Sequence, residues 1–188
     1  MSKKQYPSVE YLRQVLEYRD GKLFWLERPR EHFKSDASWK YSKTRFSGTE
    51  AGHLGHSKRG NVTVDRHLVN IDGSHIYRSL IVWALHHGQW PKHLIDHKDQ
   101  NTLNDKIENL RECTKSLNGA NQKIKSNNKS GFKGVFRLES GRFLASIMVN
   151  RKTYYLGRYD TAEEAADVYA EAAKEHFGEF AYTGRLDP

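Results

Sequence analysis

The sequence predicts an α+β protein in two parts, and three observations carry that prediction. Between Leu94 and Lys123 an apolar pair, a polar loop, a second short apolar run and a cappable helix follow one another, a hairpin feeding a helix. Between Lys123 and Ser130 the stretch K-I-K-S-N-N-K-S has no apolar period and reads as a linker. From Gly131 onward the apolar period is two through three strand-like runs, then becomes helical in an alanine-rich segment. Along the chain the segments are 1–50, an N-terminal helix, strand and basic loop; 51–123, the region ending in the hairpin and helix; 124–130, a basic linker; and 131–188, three antiparallel strands packed on one helix.

In chain order, Pro7-Ser8 precedes Val9, Leu12 and Val15-Leu16, an i, i+3, i+7 stripe that predicts a short helix with the stripe in the core. Asp20-Gly21 turns the chain into a strand over Lys22–Trp25. Residues 28–50 lose periodicity and carry Arg28, Arg30, Lys34, Lys40, Lys43 and Arg45. They read as a long basic loop, either laid on DNA or simply solvated. Gly52 and Gly55 open the next stretch. His67–Ile71 and His75–Arg78 flank Asp72-Gly73, a strong hairpin signal. Leu80–His87 is a short helix with Trp83 and Leu85 inside and Gly88 just past its end. Pro91 sends the chain into Leu94-Ile95-Asp96-His97. Glu108-Asn109-Leu110-Arg111 reads as the second strand, and Thr114 or Ser116 caps the helix that carries Asn118 and Asn121. In the last part, Gly134–Arg137, Arg142–Val149 and Lys152–Leu156 are strands, with Phe143, Ala145, Ile147 and Val149 facing the core. Thr161-Ala162-Glu163-Glu164 is a capping box for a helix that ends near Gly178.

Composition narrows the function. The 188 residues carry a formal net charge of +8, which favours a polyanionic partner. The single Cys113 excludes an internal disulfide and a multi-cysteine zinc site. His86-His87 and His53/His56 lack a thiol or a helical H-x-x-x-H partner and read as surface or phosphate contacts. The longest apolar run, Leu80–Leu85, is too short to span a bilayer, and Lys3-Lys4 is followed by polar residues rather than a signal peptide. The expectation is a soluble, cytoplasmic protein with no membrane association and no protein partner evident. Charge is segregated in the last third. Between Asn121 and Arg158 lie Lys123, Lys125, Lys129, Lys133, Arg137, Arg142, Arg151, Lys152 and Arg158 against Glu139 alone, while acids dominate from Asp160 on. A basic sheet with an acidic helix predicts that the sheet meets duplex DNA, where strands fit the major groove, with Tyr155 on that surface.

Hydrolysis of a phosphodiester needs a base for water and a cation for the leaving oxygen. Imidazole is the usual base near neutral pH, and Asp and Asn oxygens suit a hard cation such as Mg²⁺. D-H at 96–97, I-E-N-L-R at 107–111 and Asn118 on the helix start supply both. The combination resembles the HNH, or ββα-metal, nuclease family. The resemblance implies that His97 is the general base, Asp96 a metal ligand, Asn109 the brace of loop and histidine, and Asn118 the second metal ligand, an H-N-N set around one Mg²⁺ or Mn²⁺. Arg111 is implied as a phosphate contact. The family loop more often reads D-H-I-D-G-N, and here Lys98 and Gln100 stand at two of its places. A hairpin followed by W-A-L-H-H-G-x-W-P and then D-H also resembles phage-borne HNH endonucleases. Many of those carry His-Arg just ahead of the Trp, where this chain has Ser79-Leu80.

G-V-F-R, the x-Y-L-G-R-Y strand end and D-T-A-E-E-A-A make residues 131–183 resemble the Apetala2/ethylene-response-factor DNA-binding domain. In the plant domains strand arginines read bases. Here Phe136, Leu138, Ser146 and Met148 occupy most such positions, so the site read must differ. Together the resemblances imply a metal-dependent, homing-like endonuclease that hydrolyses phosphodiester bonds in double-stranded DNA by nicking. The competing class is a non-catalytic DNA-binding regulator that keeps the nuclease fold. A dead copy of that kind would have lost Asp96, His97 or Asn118. An RNA target is a third reading, against which the groove-sized basic sheet speaks.

Overall fold

A computed structural model describes residues 6–59, 62–124 and 128–183, which form two compact units divided between Glu112 and Cys113. The first unit opens with α1 (Val9–Val15), capped by the Ser8 hydroxyl, which accepts from the Tyr11 N–H at 3.1 Å. The predicted stripe of Val9, Leu12 and Val15 is its buried face. β1 (Leu16–Arg19) and β2 (Lys22–Trp25) pair antiparallel around Asp20-Gly21, both at positive φ. β1 was not foreseen because α1 runs into it without a break, and L-E-Y-R is too short for a period.

The basic stretch 28–50 is not a loop throughout. It contains a 3-10 turn at Arg30–His32 and the helix α2 (Asp36–Phe46), capped by Ser35. α2 buries no residue, so it has no apolar stripe from which a helix could be read. β3 (His53–Arg59), β4 (Val62–Ile71) and β5 (Ser74–Tyr77) form an antiparallel sheet in that order, with Asp72-Gly73 at the tight turn. α3 (Arg78–His87) follows directly and ends at Gly88, whose φ of 71° suits the left-handed C-cap. Ile81, Val82 and Ala84 are its innermost apolar residues, while Trp83 and Leu85 are half-buried flanks of the core rather than its centre. β6 (Leu94–His97) pairs with β7 (Leu110–Cys113). A 3-10 turn over Ile107–Asn109 delays β7 by two residues relative to the sequence reading. Leu12, Val15, Leu23, Val69, Ile76, Ile81 and Val82 form the core, and Ile95 and Leu110 fasten the β6–β7 hairpin to it.

In the second unit Thr114, not Ser116, caps α4 (Lys115–Asn121). The sequence reading groups α4 with the nuclease region. In the structure its Ala120 packs with Ile147, Tyr169, Ala173 and Phe177 of the second unit. β8 (Val135–Arg137), β9 (Phe143–Val149) and β10 (Lys152–Tyr159) form an antiparallel sheet in the order β10-β9-β8. A register shift between Tyr155 and Gly157 lets β10 continue to Tyr159 rather than end at Leu156. α5 (Ala162–Phe177) starts from Thr161 with both capping-box bonds made. Ala162, Ala165, Tyr169 and Ala173 are buried, so alanines bring helix and sheet close. Gly134 (φ 70°) is the tightest point, since a Cβ there would lie 2.1 Å from the Tyr169 ring. Among the described residues no helix is long and apolar enough to cross a membrane.

Candidate functional site

β6 ends on Asp96 and His97. Strand alternation sends Asp96 and His97 to opposite sides, and both are buried. Asp96 Oδ2 accepts from Arg111 Nε and from a terminal nitrogen of the same guanidinium, each at 3.0 Å. Arg111 comes from the paired strand β7 and is itself buried. It is not at the surface where a phosphate contact would stand; it holds the Asp96 carboxylate.

On the other side, His97 Nε2 donates to Asp105 Oδ1 at 2.9 Å. Asp105 Oδ2 accepts from Arg78 Nε at 2.8 Å, and the side chains of Asp105 and Arg78 are 2% and 4% exposed. Arg78 reaches on to Glu50 at 3.0 Å and to His67 Nδ1 at 2.7 Å. A buried carboxylate needs such partners, because desolvation penalises a lone charge by several kcal/mol. A carboxylate accepting at Nε2–H also fixes the ring's tautomer and puts the lone pair of the neutral imidazole on Nδ1. Around this chain, burial first and the Arg78 guanidinium second hold the His67 imidazole below its ordinary value of 6.5, against the pull of Asp105 and Glu50. The Lys22 ammonium lowers the Glu50 carboxyl, with burial opposing and Arg78 assisting.

Asn109 organises the loop between the strands. Its Oδ1 accepts from the Asp99 N–H at 3.0 Å, and its Nδ2 donates to Asp99 Oδ1 at 2.9 Å and to the Asn104 carbonyl at 2.8 Å. Its carbonyl accepts from the Lys98 N–H. Asp99 takes further bonds from the Asn101 N–H and Asn104 Nδ2. Burial raises the Asp99 carboxyl, but these bonds and the nearby His97 outweigh it and hold it low. Gln100 sits at φ 63°, the place where the related loop more often has glycine.

Asn118 lies on α4 in the second unit, its N–H bonded to the Thr114 carbonyl. Among the described residues no group of three or more His, Cys, Asp or Glu side chains converges as for a metal ion. The Asp96 carboxylate of the first unit is an oxygen donor of the kind that suits a hard cation retaining much of its own water. Arg111 occupies one oxygen of Asp96, and a carboxylate offers about four lone-pair sites over its two oxygens.

Of the predicted DNA contacts, Lys123, Lys129, Arg137, Arg142, Arg151 and Lys152 are exposed, and Tyr155 is among the most exposed aromatics. Arg142 pairs with Asp160 at 2.9 Å. Lys125 lies outside the described residues. Lys133 is turned inward. Its ammonium meets the carbonyls of Gly119, Ala120 and Gln122 at the C-terminal end of α4, and burial pushes it down to about 8. Its three N–H groups serve the helix end rather than a phosphate. Sequence reasoning missed Asp105 and Arg78. Asp105 looks like one more turn residue in an Asn/Asp-rich loop, and Arg78 like the polar end of a strand. Only the fold brings these residues, 27 positions apart, together.

A family described as HNH endonuclease matches residues 77–120, which include every member of the His97–Asp105–Arg78 chain. The chain is 37% identical over 93 residues to "Uncharacterized HNH endonuclease L560" of Acanthamoeba polyphaga mimivirus, covering 50% of this chain and 48% of that protein. It therefore spans about half the length of that relative. It is 33% identical over 106 residues to "Protein 3.8" of Escherichia phage T7, covering 55% of this chain and 87% of that protein. No solved structure matches it.

Proposed function

This chain belongs to one family with Protein 3.8 of phage T7 and carries an HNH endonuclease domain, and from that premise we propose a metal-dependent endonuclease that hydrolyses phosphodiester bonds in duplex DNA. The observation that carries the proposal is the buried His97–Asp105–Arg78 chain beside Asp96 on the β6–β7 hairpin. An imidazole held by a carboxylate at one nitrogen is oriented to take a proton at the other.

In this reading His97 accepts a proton from water at Nδ1 as the water oxygen attacks phosphorus. Asp105 keeps Nε2–H in place and stabilises the imidazolium that forms, while Arg78 holds the Asp105 carboxyl in position. Arg111 orients Asp96, and Asn109 sets the loop that carries the chain from β6 toward Asp105. Asp96 and Asn118 would hold one Mg²⁺ or Mn²⁺, which when bound supplies positive charge for the leaving 3′ oxygen. A single such centre cuts one strand, so the product is a nick.

The second unit is proposed as the DNA-holding part, of the Apetala2/ethylene-response-factor kind, and the whole protein as homing-like. Arg137, Arg151 and Lys152 on the sheet, with Lys123 and Lys129 before it, are its proposed phosphate contacts. These cations stand in solvent, whereas Glu163, Glu164, Asp167, Glu171 and Glu175 gather on α5. The test is incubation of the purified chain with supercoiled plasmid. Nicked circles accumulating with Mg²⁺ and not with EDTA are expected. No conversion in either condition, or equal conversion in EDTA, would refute the proposal.

A further inference from the structure

We propose that the outer face of the β8–β9–β10 sheet, with the groove between it and α4, binds unpaired bases of a nucleic-acid strand. This goes beyond the cleavage activity and does not depend on it. The register sets Phe136 opposite Leu144, Tyr155 opposite Ser146 and Thr153 opposite Met148, so all of these share one face. Val135, Ala145 and Ile147 take the other face and are buried under α5. On the open face Phe136 is 55% exposed, Met148 64% and Tyr155 75%. Large apolar side chains gathered on one face mark an interaction surface, whereas scattered ones do not. The groove measures about 1090 Å³ and is lined by Phe136, Met148 and Thr153 from the sheet and by Thr114 and Ser116 at the start of α4.

Charge names the class of occupant. The three strands contain no acidic residue; Arg158, opposite Leu144, is exposed on the open face, Arg151 is exposed at the β9–β10 turn, and Arg137 and Lys152 are exposed at strand ends. Arg151 lines the groove from the tip of the β9–β10 hairpin at φ 68°, a left-handed position that glycine would adopt without strain. The rim therefore suits a polyanion, while the centre suits flat apolar surfaces. Duplex DNA offers phosphates and hydrogen-bonding groove edges, with its base faces stacked inside. A strand that reads the major groove needs donors and acceptors all along this face, and here Phe136, Leu144 and Met148 interrupt Ser146, Thr153 and Tyr155. An unpaired strand offers phosphates and open base faces together, which aromatic side chains on a basic sheet take up by stacking.

The test measures binding of the full chain in EDTA, where no strand is cut, by fluorescence anisotropy over a salt series. The probes are a labelled oligothymidylate and a duplex of equal length. Phe136→Ala and Tyr155→Ala should each weaken oligothymidylate binding roughly five- to hundredfold, with the salt slope unchanged and duplex affinity within about twofold. Phe136→Tyr and Tyr155→Phe keep a ring at each position and should bind as the parent does, which separates stacking from misfolding. Arg151→Gly should instead lower the single-strand salt slope by about 0.7. Equal losses on both probes would give the face to duplex DNA and overturn the proposal. No loss on either probe would also overturn it, as would concentration-dependent self-association that Phe136→Ala abolishes while oligothymidylate binding stays unchanged.

Discussion

Replacing Asp105 with asparagine removes the one charge that joins His97 to Arg78 and keeps the side chain's shape. In the parent, Asp105 accepts from His97 at 2.9 Å and from Arg78 at 2.8 Å while only 2% exposed. The variant leaves the Arg78 guanidinium buried with the partly exposed Glu50 as its remaining countercharge among the described residues. Breaking a buried pair from one side costs about 3–5 kcal/mol, and Glu50 places this case at the lower end. At about 3 kcal/mol, a unit of roughly a hundred residues should melt roughly 12–24 °C lower. The amide also presents its NH₂ or its oxygen to Nε2 without holding one tautomer, so the base is lost as a positioned group. Cleavage should fall by about 10²–10⁴-fold, the range a general base contributes. Thermal unfolding by circular dichroism gives the first quantity, and plasmid nicking well below the variant's melting point gives the second. A variant that melts with the parent and cuts within about threefold of it would show that the buried chain neither supports the fold nor positions the base.

Asp96→Ala and Asn118→Ala should each raise the Mg²⁺ or Mn²⁺ concentration needed for half-maximal nicking, because an ion with few protein ligands tolerates the loss of none; an unchanged metal titration would remove that residue from the ligand set. The His67 imidazole is held below 6.5 in the fold, so the unfolded chain takes up its proton first as pH falls. Stability is therefore lost as pH drops from 6.5 toward the lower folded value, and His67→Gln should flatten the dependence of melting temperature on pH in that window; a parallel curve would refute the assignment. Gly134→Ala should destabilise the second unit by about 1–3 kcal/mol through overpacking against Tyr169, seen as an earlier melting transition.

What could be read in advance follows from which signals are local. Asp20-Gly21 and Asp72-Gly73 give their turns away because left-handed backbone selects those residues. The Thr161–Glu164 box marks a helix start through side chains three positions apart. α2 escapes because burial writes the apolar period and α2 buries nothing. β3 escapes because H-L-G-H-S-K-R, on an edge strand, has no clean alternation. In the candidate site, adjacency in sequence displays Asp96-His97 and the spacing displays Asn109 and Asn118. The partners Asp105 and Arg78 are legible only once α3, the loop before β7 and β6 are brought together in space. Lys133 and Arg111 illustrate the limit from the other side, since charge alone cannot tell a phosphate contact from a cation serving a helix end or a buried carboxylate.

The central claim is that His97, held by Asp105, activates water. The measurement closest to it is nicking of supercoiled plasmid by the parent and by His97→Ala at saturating Mg²⁺, with duplex affinity measured alongside in EDTA. The account predicts a fall in cleavage of about 10²–10⁴-fold with affinity within about twofold. Cleavage by His97→Ala within about threefold of the parent would contradict it.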